Sequence, residues 1–303
     1  MVPNAPKKIR GRGIDYALRF ATSRWAEDLL LEAIAREGFI IARLGLSAVG
    51  EKSVIEIYEP GIKVPDLLVF DPAILSEEEM GLISGTDLSQ LAPEVLESPR
   101  YSKIFEKACA AIEVEFSPYQ ASEMKGRNWA TRPEAKLLAR PPKHANPPSA
   151  PNVFIKEEDL GRLRKWEERF GVPIIVTHVF DQEAFAIRLD RLYAFDEALR
   201  STDETGGKIL QLTQGIFKKI QIYDRSDAQG AREHKVVFCI TPATSVFAGI
   251  VSGVKVEAQL MVSGSKKYVA HPIFKGGKIE LSQKFLELLR GPAGGGQSLD
   301  QSL

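Results

Sequence analysis

Cysteine is nearly missing from this chain: only Cys109 and Cys239 occur among its 303 residues. Two cysteines build neither a disulfide framework nor a cysteine-based zinc site, and their scarcity fits a reducing cytoplasm. Long apolar runs are missing as well. Each is broken by Gly, Pro or charge before reaching membrane-spanning length, so no membrane partner is expected. The basic opening segment MVPNAPKKIRGRG has no apolar core of a secretion signal, and a cytoplasmic location is expected. The four histidines, His144, His178, His234 and His271, are scattered without metal-ligand spacing. His178, inside an apolar run, reads as a satisfied core histidine. A nucleophile-elbow sequence and a Gly-rich phosphate loop are both absent, which leaves Ser-His-Asp hydrolysis and P-loop chemistry without support.

Net charge is absent too. Lys+Arg and Asp+Glu each number 40, so the total gives no sign of a nucleic-acid partner. The distribution is less even. Leu75 to Ser98 holds Glu77, Glu78, Glu79, Asp87, Glu94 and Glu97 with no Lys or Arg. Met124 to His144 holds Lys125, Arg127, Arg132, Lys136, Arg140 and Lys143 against Glu134 alone. Zero overall charge therefore conceals a basic segment, suited to contact with a phosphate backbone.

Hydrophobic content of 44% and charged content of 26% are those of an ordinary globular protein, long enough for one large or two medium domains. Ile14, Leu18, Ala21, Trp25, Leu29 and Ala33 recur at helical spacing, and Gly38 ends that helix. Strands are expected over 39–46, 54–58 and 65–70, then a mostly helical insertion over about 72–107, then a strand over 110–116. A Pro-rich basic loop occupies about 125–151. Glu157 to Phe170 reads as a helix, with Leu160, Leu163, Trp166 and Phe170 on one face and Gly171 as its stop. Strands are expected over 172–180 and 184–189. Beyond residue 200 the pattern is mainly β, with a closing helix near 282–289 and a Gly/Ser/Gln-rich tail expected to be disordered. The fold class is thus α/β (α+β): a mixed sheet flanked by helices over 1–200, followed by a β-rich region over 201–303.

What the sequence does contain is carboxylate where strands should be apolar. Pro65-Asp66-Leu67-Leu68-Val69-Phe70 and Ile112-Glu113-Val114-Glu115-Phe116 both read as strands. Side-chain alternation points Glu113 and Glu115 to the same side. Buried like charges are costly unless a cation or hydrogen bonds compensate them. Three such acids suit magnesium, a hard cation that prefers carboxylate, water and phosphate oxygens. Asp66 and Glu113 are the expected metal ligands, joined by the backbone carbonyl of Val114, and Glu115 is expected to hold the attacking water or to help bind a second ion. Glu27, on the first helix, is a further acid that could approach the metal, with a surface position as its plainer reading.

At these residues the chain resembles the PD-(D/E)xK nuclease superfamily, and within it the type II restriction endonucleases. Pro65-Asp66 matches the first motif. Glu113-Val114-Glu115 matches the second in the variant where Glu replaces the usual Lys. The phrases AIEVEFSPYQASEMKGRNW and KEEDLGRLRKWEERFGVPIIVTHVF are similar to that strand and to the crossover that follows it. The likeness covers roughly residues 14–195. It implies a restriction-endonuclease-like core and Mg2+-dependent, sequence-specific cleavage of double-stranded DNA by a homodimer. Asp66, Glu113, Glu115 and Lys125 are then the catalytic candidates, with Lys125 in the place of the absent lysine. Arg127, Asn128, Trp129 and Arg132 are candidates for DNA contact, since Arg and Asn suit bidentate readout of guanine and adenine. The alternatives are a structure-specific repair or junction nuclease, and a non-catalytic DNA-binding protein.

Overall fold

The computed structural model describes residues 14–45, 61–85, 88, 91, 95, 97–117, 153–196, 209–213, 216–224, 232–240, 245–262 and 268–291. The expected strand over 54–58, the Pro-rich basic loop and the C-terminal tail lie outside them. The chain opens with α1 (Ile14–Arg36) and β1 (Ile40–Arg43). β2 (Leu67–Phe70), a 3-10 turn (Pro72–Ile74), α2 (Glu77–Gly85) and α3 (Pro99–Phe105) follow. Next come β3 (Ala108–Phe116), β4 (Val153–Lys156), α4 (Glu157–Phe170), β5 (Ile174–Val179), β6 (Glu183–Arg188) and α5 (Leu189–Asp196). The C-terminal part supplies β7 (Ile209–Thr213), β8 (Ile216–Asp224), β9 (Arg232–Ile240), β10 (Val246–Val262), β11 (Tyr268–Leu281) and α6 (Gln283–Arg290).

Among the described residues a mixed seven-stranded sheet runs in the order β1-β2-β3-β5-β6-β10-β11, and a four-stranded sheet in the order β4-β9-β8-β7. Only β3 and β5 pair in parallel within them; the other pairs are antiparallel. A parallel pair needs a crossover, and α4 provides it. Strands from beyond residue 200 enter both sheets: β10 and β11 extend the larger one past β6, and β9 pairs with β4. The fold is α+β, a mixed sheet with helices on its faces. No helix among the described residues is long and apolar enough to cross a membrane.

Alternation in the central strands builds two cores. Leu67, Val69, Ala110, Ile112 and Val114 pack on one face with Trp25, Leu29, Leu30 and Ile34 of α1 and Phe285 and Leu289 of α6. Leu68, Phe70, Ala111, Ile174 and Val176 pack on the other with Leu160, Leu163 and Trp166 of α4. The α4 stripe is as expected from its spacing, and Gly171 caps it at φ 67° with its N–H donated to the Glu167 carbonyl. Trp25 ties α1 to the far sheet edge: its ring stacks on Phe274 at 5.0 Å and its indole N–H donates to the Gly276 carbonyl at 2.8 Å.

One close approach sets the position of the Pro65-Asp66 segment. The N–H groups of Leu44 and Gly45 both donate to the Asp66 carbonyl, at 2.9 and 3.3 Å. A Cβ on Gly45 would meet the Pro65 carbonyl oxygen at 2.9 Å and the Asp66 Cα at 3.2 Å. Both neighbours are backbone, so one of the strand ends would have to move. Gly45→Val is therefore expected to cost about 1–3 kcal/mol of stability in urea denaturation; an unchanged midpoint would contradict this packing.

Candidate active site

β2 and β3 pair antiparallel with Leu67 opposite Ile112. One step further along this register sets Asp66 beside Glu113, although 46 residues separate them in sequence. The Val114 N–H donates to Asp66 Oδ2 at 2.7 Å. A strand residue carries its N–H and C=O on the same edge, so the Val114 carbonyl is directed to the Asp66 edge as well. The structure thus brings Asp66, Glu113 and the Val114 backbone together at the end of β2.

Glu113 and Glu115 follow Ala111 on the α4 face, where sheet alternation places them. Glu113 is 3% exposed. Its Oε1 meets Lys63 Nζ at 2.5 Å. Its Oε2 is buried with no hydrogen-bond partner among the described residues. Lys63 also reaches Asp159 Oδ2 at 3.4 Å. Asp159 lies in the first turn of α4 and is shared with Lys156, whose ammonium is 3.3 Å away. The backbone before Asp66 is latched to the same helix. Lys63 donates its N–H to the Arg162 carbonyl at 3.3 Å, and Arg162 Nη2 donates to the Ile62 carbonyl at 2.9 Å.

Carboxylates outnumber ammonium groups here, and the ionisation equilibria reflect it. Burial raises Asp66 well above the usual carboxylate range, and Glu113 and Glu27 push it further. Burial raises Glu113 as well, against the pull of Lys63, with Glu115 adding to the rise. Glu115 is raised by burial, partly offset by Lys63 and Lys156. Asp159 differs: burial pushes it up, but Lys63 and Lys156 outweigh burial and hold it below its ordinary value. For Lys63, burial favours the neutral amine, yet Glu113, Asp159 and Glu115 prevail and hold the ammonium well above its ordinary range.

These groups suit one hard cation. Glu113 Oε2, without a partner among the described residues, the neighbouring Asp66 carboxylate and the Val114 carbonyl are oxygen donors of the kind such a cation takes. Among the described residues no three His, Cys, Asp or Glu side chains already converge on one point. Lys63 holds one oxygen of Glu113, and the Val114 N–H holds one of Asp66.

Glu27 departs from its plainer expectation. It is 1% exposed rather than on the surface. Its carboxylate accepts from Ser23 Oγ at 3.2 Å and Arg43 Nη1 at 3.1 Å, and it adds to the negative field at Asp66. His178 is a core residue, but not a satisfied one. It lies beside Glu115 in the β3–β5 register. Its ring packs 4.9 Å from Phe154 and 4.6 Å from Phe180. Neither ring nitrogen has a hydrogen-bond partner among the described residues. Lys125, Arg127, Asn128, Trp129 and Arg132 lie outside the described residues.

Lys63, Lys156 and Asp159 were not singled out from sequence. Signals point to two of them, Lys63 and Asp159. Lys63 stands between Ile62 and Val64, both buried, immediately before Pro65-Asp66. Asp159 shares helical spacing with Leu163 and Trp166, which places an acid on the apolar stripe of α4. No family model, curated protein or solved structure matches the chain.

Two stability measurements follow from this electrostatics. A carboxyl group whose folded pKa is raised stabilises the fold at low pH and loses that contribution as pH rises through its folded value. In metal-free buffer the stability of Asp66→Asn relative to the parent is therefore expected to rise as pH is raised above the ordinary carboxylate range. Magnesium should raise the melting temperature of the parent and leave Asp66→Asn unmoved; the reverse pattern would contradict the site. His178 has the opposite sign. Burial lowers its pKa to about 3, so below about 6.5 only the unfolded chain takes up the proton. The parent should lose stability relative to His178→Leu as pH falls from about 6.5 toward 3, by up to about 1.4 kcal/mol per pH unit. Parallel pH profiles for the two proteins would contradict a neutral buried imidazole.

Proposed function

We propose that this chain is a Mg2+-dependent, sequence-specific double-stranded DNA endonuclease of the type II restriction class, working as a homodimer in the cytoplasm. The observation that carries the proposal is the pairing of β2 with β3. It sets Asp66 beside Glu113, whose second carboxylate oxygen is buried without a partner among the described residues. That arrangement joins the two halves of the motif on which the resemblance to the PD-(D/E)xK nucleases rests.

Asp66, Glu113 and the Val114 carbonyl would hold the ion. When bound, the cation lowers the pKa of a coordinated water and neutralises charge on the scissile phosphate. Glu115, one pleat beyond Glu113 on the same face, orients the attacking water and accepts its proton. The raised pKa of Glu115 favours that transfer. In hydrolysis the water oxygen forms a bond to phosphorus and the bond to the leaving sugar oxygen breaks; that oxygen takes its proton from solvent. The basic segment with Arg127, Asn128, Trp129 and Arg132 would supply backbone and base contacts. A two-fold homodimer places one such site on each strand of a palindromic sequence.

Incubation of a mapped plasmid with magnesium, followed by end sequencing, should yield discrete fragments with one repeated terminal sequence. Glu113→Ala should bind the same DNA and cut it slower by a factor on the order of 10³. Cleavage that depends on branches or damage rather than sequence would remove the restriction class. Retained cutting by Glu113→Ala would remove the site.

A further inference from the structure

Lys63 stands where no motif places it, and what surrounds it is more than a surface ion pair. Its ammonium touches Glu113 Oε1 at 2.5 Å and Asp159 at 3.4 Å. The other oxygen of the same carboxylate, Glu113 Oε2, is buried without a partner among the described residues. The two oxygens of Glu113 are thus divided, one to an ammonium and one left for a cation. A phosphate oxygen held by a cation on Oε2 would then lie next to the ammonium on Oε1.

The position of Lys63 is also over-determined. Its backbone N–H is held by the Arg162 carbonyl, and its neighbour Ile62 accepts from the Arg162 guanidinium. Asp159, one turn earlier on α4, is a second acid on the same ammonium. Fixing a charged group before substrate arrives is how a site stabilises developing charge without reorganisation. A lysine needed only to neutralise Glu113 would require no second acid and no backbone latch.

We propose that Lys63 is a catalytic residue. It reaches the scissile phosphate from the segment before Asp66 and supplies the positive charge that Glu115 displaces from the second motif. This rests on the nuclease reading above. Lys63 stays an ammonium throughout, donating a hydrogen bond to a non-bridging phosphate oxygen as negative charge builds there; no proton leaves it. Asp159 is its positioning residue.

The test compares the parent chain with Lys63→Met and Lys63→Arg in three measurements: melting temperature, Mg2+ affinity by calorimetry without DNA, and single-turnover cleavage at saturating Mg2+. Lys63→Met is expected to bind Mg2+ as tightly as the parent or several-fold tighter, since a competing charge is gone. It should cut slower by at least about 10²-fold. Lys63→Arg keeps the charge and moves it, so its rate should fall by about 10-fold. It also decides the matter if Lys63→Met does not melt cooperatively. A Lys63→Met protein, or failing that Lys63→Arg, that cuts at the parental rate at saturating Mg2+ would overturn the assignment and leave Lys63 a stand-in for the ion. Loss of Mg2+ affinity in Lys63→Met by about 10²-fold would overturn it too, placing Lys63 in the cation site rather than on the phosphate. A parent that cuts no DNA with any divalent cation would overturn the nuclease reading, and this assignment with it.

Discussion

Lys63 donates to Glu113 and leans on Asp159, and through those two contacts one ammonium group joins a loop, a strand and a helix. Without it, Glu113 would sit at 3% exposure among other acids with its ion-pair partner gone. Removing one member of a buried ion pair typically costs several kcal/mol, because the remaining charge is left without compensation. The neighbouring geometry serves the same contact. Arg162 holds the 62–63 backbone, and the β2–β3 register delivers Glu113 to it.

This arrangement works against stability. Asp66, Glu113 and Glu115 are all raised by burial, so the folded chain at neutral pH carries acids that would ionise more readily in water. The surrounding structure sustains that cost through two apolar cores, one on each face of the central strands. Alternation along β3 makes both possible at once. Its even-numbered residues Ala110, Ile112 and Val114 seal against α1, while the odd-numbered Glu113 and Glu115 are delivered to the α4 face. Buried acids with shifted ionisation beside a charge partner are a pattern that functional sites share with structural ion-pair networks.

Much of this was legible in the sequence, for identifiable reasons. The α4 stripe, the acid-bearing strands and the β-rich C-terminal region follow from periods of 3.6 and 2, which local sequence records directly. Strand pairing is not local. The meeting of Asp66 with Glu113 was implied only by the motif order, and the register supplies it. The entry of β10 and β11 into the main sheet and of β9 beside β4 is non-local in the same way. Glu27 read as a surface position because a single acid on a helix usually is one, and Arg43 and Ser23, which make its burial tolerable, come from a different strand and the preceding turn. Lys63 escapes a reading by motif, which directs attention to residues after Asp66, whereas the charge arrives from before it. The apolar run places His178 in the core, whereas its contact with Phe154 comes from the packing of β4 against β5 and is not local.

In the proposed site Asp66, Glu113 and the Val114 carbonyl would hold a cation that shares Glu113 with Lys63. Anomalous diffraction from crystals grown with Mn2+ tests it most directly. A peak is expected between Asp66 and Glu113, in reach of the Val114 carbonyl, with Lys63 still beside the other oxygen of Glu113. Manganese absent from that position, or bound only elsewhere on the protein, would contradict it.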